Sequence, residues 1–227
     1  MALLRKNNAG NRKTYWVVGA VFVAVFLFWT LLVLTVDVQP LGQNGTDLGL
    51  AALNTRFHDL TGVHLTLYTV TDRLELVPFA VCAGFGALGL WQLIRQKSLR
   101  RVDRDILVLG GYYILVIACF FFFEMIPVNY RPVLIEGRME ASYPSSTTLL
   151  VLSVMPTLCE QLYRRLRNRT AKRWIFTVTA LFSVFMVIGR LLSGVHWLTD
   201  IFGSVLLSTG LFLLYQAAVQ TLLSREK

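Results

Sequence analysis

Apolar residues in this chain come in runs too long for a soluble domain to bury. The first, from about Tyr15 to Val36, is almost uninterrupted, and roughly 20 residues suffice to cross a hydrocarbon core. Five more follow: Leu76 to Ile94, Ile106 to Ile126, Ser146 to Tyr163, Trp174 to about Gly189, and Thr199 to Leu222. The fourth opens on hydroxyl residues and is less apolar than the rest. Backbone in lipid has to satisfy its own hydrogen bonds, so such runs are helices. With 55% of its 227 residues hydrophobic and 15% charged, the chain also lacks the polar surface of a soluble protein of this size. The expected fold class is an all-α integral membrane protein, six transmembrane helices in a single membrane domain over residues 1–227. The first run is too long for a signal-peptide core and has no convincing cleavage site, so it reads as a retained helix.

Charge orients the bundle. The formal net charge is +9, which invites nucleic acid, but Lys and Arg gather in short clusters beside apolar runs: Arg5–Lys13, Arg95–Arg104, Arg164–Arg173, and Arg225 with Lys227. No surface aromatics interleave them and no nucleic-acid module is present. With the N-terminus inside and the spans alternating, all but five of the 22 Lys and Arg residues fall on the cytoplasmic side. The five are Arg56, Arg73, Arg131, Arg138 and Arg190. The positive-inside rule therefore predicts both termini in the cytoplasm and the loops bearing these arginines outside. The short loops and small size suit a bacterial plasma membrane. The pattern predicts no nucleic-acid partner.

The longest outer stretch, residues 37–75, begins with turn residues Gln39–Gly45 and then alternates apolar with polar residues from Asp47 onward. This spacing predicts an amphipathic helix at the interface. His58 and His64 lie within it; His58 neighbours Asp59, but no second ligand pair supports a metal site, and covering a site is the expected role. Asn44–Gly45–Thr46 matches a glycosylation sequon that carries no weight here. Cys82, Cys119 and Cys159 are scattered in apolar segments, without disulfide or metal spacing. The Phe120–Phe123 run reads as span packing.

The strongest local signal is Gly189-Arg-Leu-Leu-Ser-Gly-Val-His-Trp-Leu-Thr-Asp200. His196 and Asp200, four apart, would share a helix face, and a carboxylate behind an imidazole fixes its tautomer and supports its charge during reaction. Arg190 offers a planar fork suited to phosphate oxygens. An interfacial cap with a snorkelling arginine explains a lone His–x3–Asp equally well. The full Arg–x5–His–x3–Asp string, however, resembles the third motif of the type-2 phosphatidic acid phosphatases, relatives of the vanadium haloperoxidases and sphingomyelin synthases. That family usually carries Ser where this chain has Gly189. Its first motif, Lys–x6–Arg–Pro, is met at Arg131–Pro132, but Glu124 stands in place of the lysine. Its second, Pro–Ser–x–His, is met by Pro144–Ser145–Ser146, with Thr147 in place of the histidine.

The resemblance implies the family's helical bundle and a division of labour. His196 attacks phosphorus and carries a transient phosphohistidine, oriented by Asp200. Arg131 and Arg190 hold the phosphoryl oxygens. Ser145 hydrogen-bonds the phosphate, and the amides around Ser146 add the positive end of a helix. The same Pro–Ser–Ser string also reads as a hydroxyl-capped helix start. No cofactor or metal is implied.

The two departures bear on mechanism. Glu124 removes a phosphate clamp, and Thr147 cannot give an alkoxide the proton that is typically worth about 10²–10⁴-fold. A lipid diphosphate, whose leaving group is itself a phosphate, needs less acid help. Alternatively Glu124, Glu136 or Glu140 supplies the proton or contacts a cationic head group; as solvated acids they would merely balance Arg131 and Arg138. The expected function is a membrane lipid phosphatase acting on a lipid phosphate or diphosphate, such as a prenyl diphosphate. The alternatives are a head-group phosphotransferase and a noncatalytic phospholipid-binding protein that has lost its acid. Partners are then the lipid substrate and the surrounding membrane lipids.

Overall fold

The computed structural model describes residues 2–224; Arg225 and Lys227 of the last basic cluster lie outside them. Eight α-helices follow one another: α1 (Ala2–Thr35), α2 (Ala51–Thr61), α3 (Leu65–Leu74), α4 (Leu76–Gln96), α5 (Arg104–Met125), α6 (Ser146–Arg165), α7 (Arg169–Leu192) and α8 (Leu198–Leu223). Among the described residues there is no β-strand, only isolated bridges. The all-helical membrane architecture expected from the apolar runs is what the chain adopts.

Among the described residues, five stretches are long and apolar enough to cross a membrane: Arg12–Thr35, Leu65–Gln96, Arg104–Met125, Arg169–Leu192 and Leu198–Leu222. The fourth expected span, now α6, has the length without the apolarity, so a count of six is approximate. Its composition follows from its place. It packs against α4, α5, α7 and α8, and Thr147, Thr148, Ser153, Thr157 and Gln161 are all buried. Tyr112 donates to the Ser153 carbonyl at 3.1 Å, the Tyr113 and Thr157 hydroxyls meet at 2.7 Å, and Gln161 Nε2 donates to Tyr215 at 3.0 Å. A helix enclosed by other helices can carry hydroxyls and amides because its neighbours satisfy them.

The second span departs from expectation at its start. The apolar run from Leu76 is α4, but α3 abuts it, joined through Glu75, and the continuous apolar stretch begins at Leu65. The segment before it is correspondingly shorter, with α2 as its α-helix and α3 joined to the apolar stretch. α3 leans on α7 and α1 runs along α8, where Trp29 Nε1 donates to the Thr199 carbonyl at 3.2 Å.

Loops at one end of the bundle are pinned to each other. His64 N–H donates to the Ser193 carbonyl at 2.9 Å, and Gly194, at φ +69°, passes so close beneath Gly62 that a Cβ would fall 2.1 Å from its carbonyl oxygen. Only glycine fits this crossing. The α5–α6 loop folds back as a narrow hairpin: Arg131 N–H donates to the Glu140 carbonyl at 3.1 Å and Ser142 N–H to the Asn129 carbonyl at 2.9 Å.

Candidate active site

The hairpin, the α7–α8 turn and the start of α6 converge. His196 is not on a helix; it precedes α8, whose N-cap is Trp197 and whose first turn holds Asp200. Its four-residue spacing from Asp200 therefore works through capping and not through a shared helix face. The Trp197 N–H donates to Asp200 Oδ2 at 2.8 Å, which sets the carboxylate 3.5 Å from His196 Nδ1. Nδ1 also lies 3.2 Å from the Ser142 carbonyl oxygen. A carbonyl only accepts, so this contact places the proton on Nδ1 and leaves the lone pair on Nε2. Nε2 is buried without a partner among the described residues. His196 is 3% exposed and Asp200 fully buried; burial, with Arg131 and Arg190 nearby, holds the imidazole well below its ordinary pKa, in the neutral form a nucleophile needs.

Arg190, at the end of α7, is 1% exposed. One nitrogen, Nη2, makes all its hydrogen bonds: Asp72 Oδ1 at 3.0 Å, Glu75 Oε2 at 3.3 Å and Thr147 Oγ1 at 2.5 Å. Arg131 Nη2 pairs with Glu140 Oε2 at 3.1 Å across the hairpin. On both guanidiniums Nε and Nη1 are buried with no partner among the described residues. The two cations share one ring, Tyr68, with the Arg190 and Arg131 Cζ atoms 4.9 and 5.7 Å from its centroid. Four guanidinium nitrogens, buried and unbonded in one cluster with the imidazole lone pair, form a donor set that suits a tetrahedral oxyanion.

The remaining expected residues are placed as follows. Ser145 caps α6: its hydroxyl accepts from Thr148 N–H at 3.5 Å and donates to Thr148 Oγ1 at 3.1 Å, so of its two readings the structure displays the helix cap. Ser146 opens α6 and lines a small enclosed pocket with Glu124, Tyr143 and Pro144. Glu124 is exposed at the end of α5. Glu136, with φ 50°, sits exposed at the hairpin turn between Ile135 and Arg138, and Glu140 is engaged by Arg131. Thr147 donates to Glu75 Oε2 at 2.6 Å. His58 contacts the Gly194 carbonyl at 3.2 Å and lies 5.5 Å from the Trp197 ring, covering the α7–α8 turn; His64 bonds the Thr61 carbonyl at 2.9 Å. No trio of His, Cys, Asp or Glu among the described residues gathers as a metal-binding group.

Sequence reasoning missed Tyr68, Asp72 and Glu75. All lie on or just after α3, spaced at four and three, one helical face. That periodicity was the available signal. It was hidden inside an outer stretch read as lying flat.

Comparison with known proteins bears on the family and the fold. Residues 120–223 match the PAP2 superfamily. The matched region begins within α5 and takes in the hairpin, α6, α7 and all of α8, hence Arg131, Thr147, Arg190, His196 and Asp200. Among solved structures, the chain resembles a transmembrane PAP2-type phosphatidylglycerolphosphate phosphatase from Bacillus subtilis, with a TM-score of 0.59 and 17% identity, over 89% of this chain and 96% of that one. That likeness shows a shared fold, and its coverage reaches beyond the matched PAP2 segment. No curated protein matches the chain.

The departure at Gly189 from the PAP2 pattern has a packing cause. A Cβ there would lie 2.7 Å from Thr71 Cγ2 on α3, so a serine would force Thr71 or α3 to shift. The same seating brings Asp72 and Glu75 onto Arg190.

Proposed function

We propose that the protein is a membrane lipid phosphatase that removes phosphate from a lipid phosphate or diphosphate through a phosphohistidine on His196. One observation carries this reading: the unbonded Nε2 of His196 is buried beside two arginines whose free nitrogens are likewise unbonded. The phosphoryl group sits between Arg131 and Arg190 while Nε2 attacks phosphorus in line. The P–N bond forms as the bond to the lipid oxygen breaks, and charge building on the equatorial oxygens meets fixed guanidinium donors. Water then cleaves the P–N bond and releases phosphate. Asp200 and the Ser142 carbonyl hold the ring and support its positive charge.

The lipid nature of the substrate is supported by a site at the end of a membrane-embedded bundle, and by a neighbour in fold described as acting on phosphatidylglycerolphosphate. The distribution of Lys and Arg supports an outer-facing site with both termini in the cytoplasm, in a bacterial plasma membrane. The test is phosphate release by detergent-purified protein from a prenyl diphosphate, a prenyl monophosphate and phosphatidic acid. Release that disappears in His196→Ala is the expected result; no release from any of them overturns the proposal.

A second reading draws on Arg190, whose Nη2 already holds two carboxylates. A PAP2 fold could keep such a pocket only to bind a phospholipid. His196→Ala would then leave cellular function intact. Transfer of the phosphoryl group to another lipid's hydroxyl would appear in the same assay as a new lipid phosphate.

A further inference from the structure

The PAP2 pattern reserves position 147 for a proton donor, and Thr147 has no acidic proton of its own to spare. Its hydroxyl is nevertheless wired to one. Thr147 Oγ1 lies 2.6 Å from Glu75 Oε2 and 2.5 Å from Arg190 Nη2. Glu75 itself bonds the same Arg190 nitrogen at 3.3 Å. Among the described glutamates, Glu75 is the one bonded both to Thr147 and to a phosphate-holding arginine: Glu140 pairs with Arg131, Glu136 stands at the hairpin turn, and Glu124 lies exposed on α5. Glu75 enters from the junction of α3 and α4, with its side chain 15% exposed.

Resting on the phosphatase reading, we propose that Glu75 and Thr147 together replace the missing general acid, Glu75 holding the proton and the Thr147 hydroxyl passing it to the leaving lipid oxygen. A phosphoryl group held by Arg190 lies beside the Thr147 hydroxyl, which the same arginine bonds. As His196 Nε2 bonds to phosphorus and the P–O bond to the lipid breaks, the Thr147 proton goes to the departing oxygen and the Glu75 proton goes to Thr147. The lipid leaves as a neutral alcohol and Glu75 is left as carboxylate. In the second half, Glu75 takes back a proton through Thr147 from the water that attacks the phosphohistidine. The P–N bond breaks, phosphate departs, and both groups are restored. The relay thereby accounts for turnover of phosphomonoesters with alkoxide leaving groups as well as diphosphates.

The experiment compares two substrates with the full-length purified protein: phosphatidic acid, whose alkoxide needs a proton, and 4-nitrophenyl phosphate, whose phenolate leaves without one. Glu75→Gln is expected to lower the phosphatidic acid rate by about 10²-fold or more and the 4-nitrophenyl phosphate rate far less. Thr147→His added to Glu75→Gln is expected to recover the phosphatidic acid rate. Equal losses on both substrates overturn the proposal and leave Glu75 as a positioning residue for Arg190. Should Glu75→Gln fail to fold, Thr147→Val, which keeps the Glu75–Arg190 pair, reads the same ratio of rates: a selective loss on phosphatidic acid supports the relay and an unchanged ratio overturns it. A wild-type protein inactive on both substrates, with no acid-labile phosphate trapped on His196, would instead overturn the underlying phosphatase reading.

Discussion

Asn54 and Thr199 bond each other twice. Asn54 Nδ2 donates to Thr199 Oγ1 at 3.0 Å, and Thr199 N–H donates to Asn54 Oδ1 at 3.2 Å. Both residues are fully buried. The pair ties α2, from the outer segment, to the first turn of α8, one residue from Asp200. A third bond, from Asn54 Nδ2 to the Gly49 carbonyl at 2.8 Å, fixes the amide in place.

Removing this amide strands a buried N–H at the helix start, where α8 has no side-chain cap to spare. Asn54→Ala is expected to cost about 1–3 kcal/mol, read as a lowered midpoint of thermal unfolding in detergent. Because Trp197 N–H sets Asp200 against His196, loosening that turn should also reduce phosphate release, with His58→Ala giving a smaller effect of the same kind. An Asn54→Ala protein as stable and active as wild type would show that α2 is a cover and not a support.

The His196 imidazole is held well below its ordinary pKa of 6.5 by burial and the two arginines. A lowered value means the proton comes off at lower pH, so the ring stays nucleophilic in the window just below 6.5 where an ordinary histidine would be charged. The acid limb of kcat/KM set by this group should therefore lie below pH 6.5. The same shift means that in this window the unfolded chain binds more protons than the folded one, so the histidine's contribution to stability rises with pH up to about 6.5 and falls as pH drops. A pH–rate profile from 4.5 to 8 checks the first statement, and unfolding midpoints over the same range check the second.

Arg131 and Arg190 present unbonded Nε and Nη1 atoms, but they are anchored differently. Arg190 is held by α3 carboxylates and Thr147, Arg131 by Glu140 on its own hairpin. Arg190→Lys keeps a charge while losing the fork, and loss of a transition-state donor typically costs about 10²–10³-fold in kcat. It should also shift the unfolding midpoint, because Asp72 and Glu75 lose a partner. Arg131→Lys should reduce turnover with less effect on stability, since Glu140 is partly exposed and can turn to water. Parallel rate and unfolding measurements on the two variants separate the roles.

How much of this was legible beforehand depends on the range of the interaction. Apolar runs act locally or along one helix, so the membrane class and the helices could be read from residue order. Arg131, Arg190, His196 and Asp200 could be read because a motif records their spacing. The partners of those residues could not. Glu75 reaches Thr147 across 72 positions and Asp72 reaches Arg190 across 118, and nothing in residue order encodes such distances. Even the His196–Asp200 spacing misled, since a period of four suggests one helix face while the residues meet through the cap of α8. Ser145 read equally as phosphate donor or cap, and its geometry with Thr148 shows the cap.

Gly189 offers a test of why the acids of α3 reach the site at all. A serine there, usual in the PAP2 pattern, places Cβ 2.7 Å from Thr71 Cγ2, closer than nonbonded carbons approach, so the Thr71 side chain has to turn or α3 has to retreat from α7. Gly189→Ser alone is expected to destabilise the protein by about 1–3 kcal/mol and to lower activity by drawing Asp72 and Glu75 away from Arg190. Thr71→Ser removes the offending methyl while keeping the hydroxyl that bonds the Leu67 and Tyr68 carbonyls, each at 3.0 Å. Combined with Gly189→Ser it should restore much of both losses. The coupling energy from the four unfolding midpoints is the deciding quantity: a strongly non-additive pair means that the small residue at 189 exists to seat α3, and an additive pair means that the contact with Thr71 has no part in it.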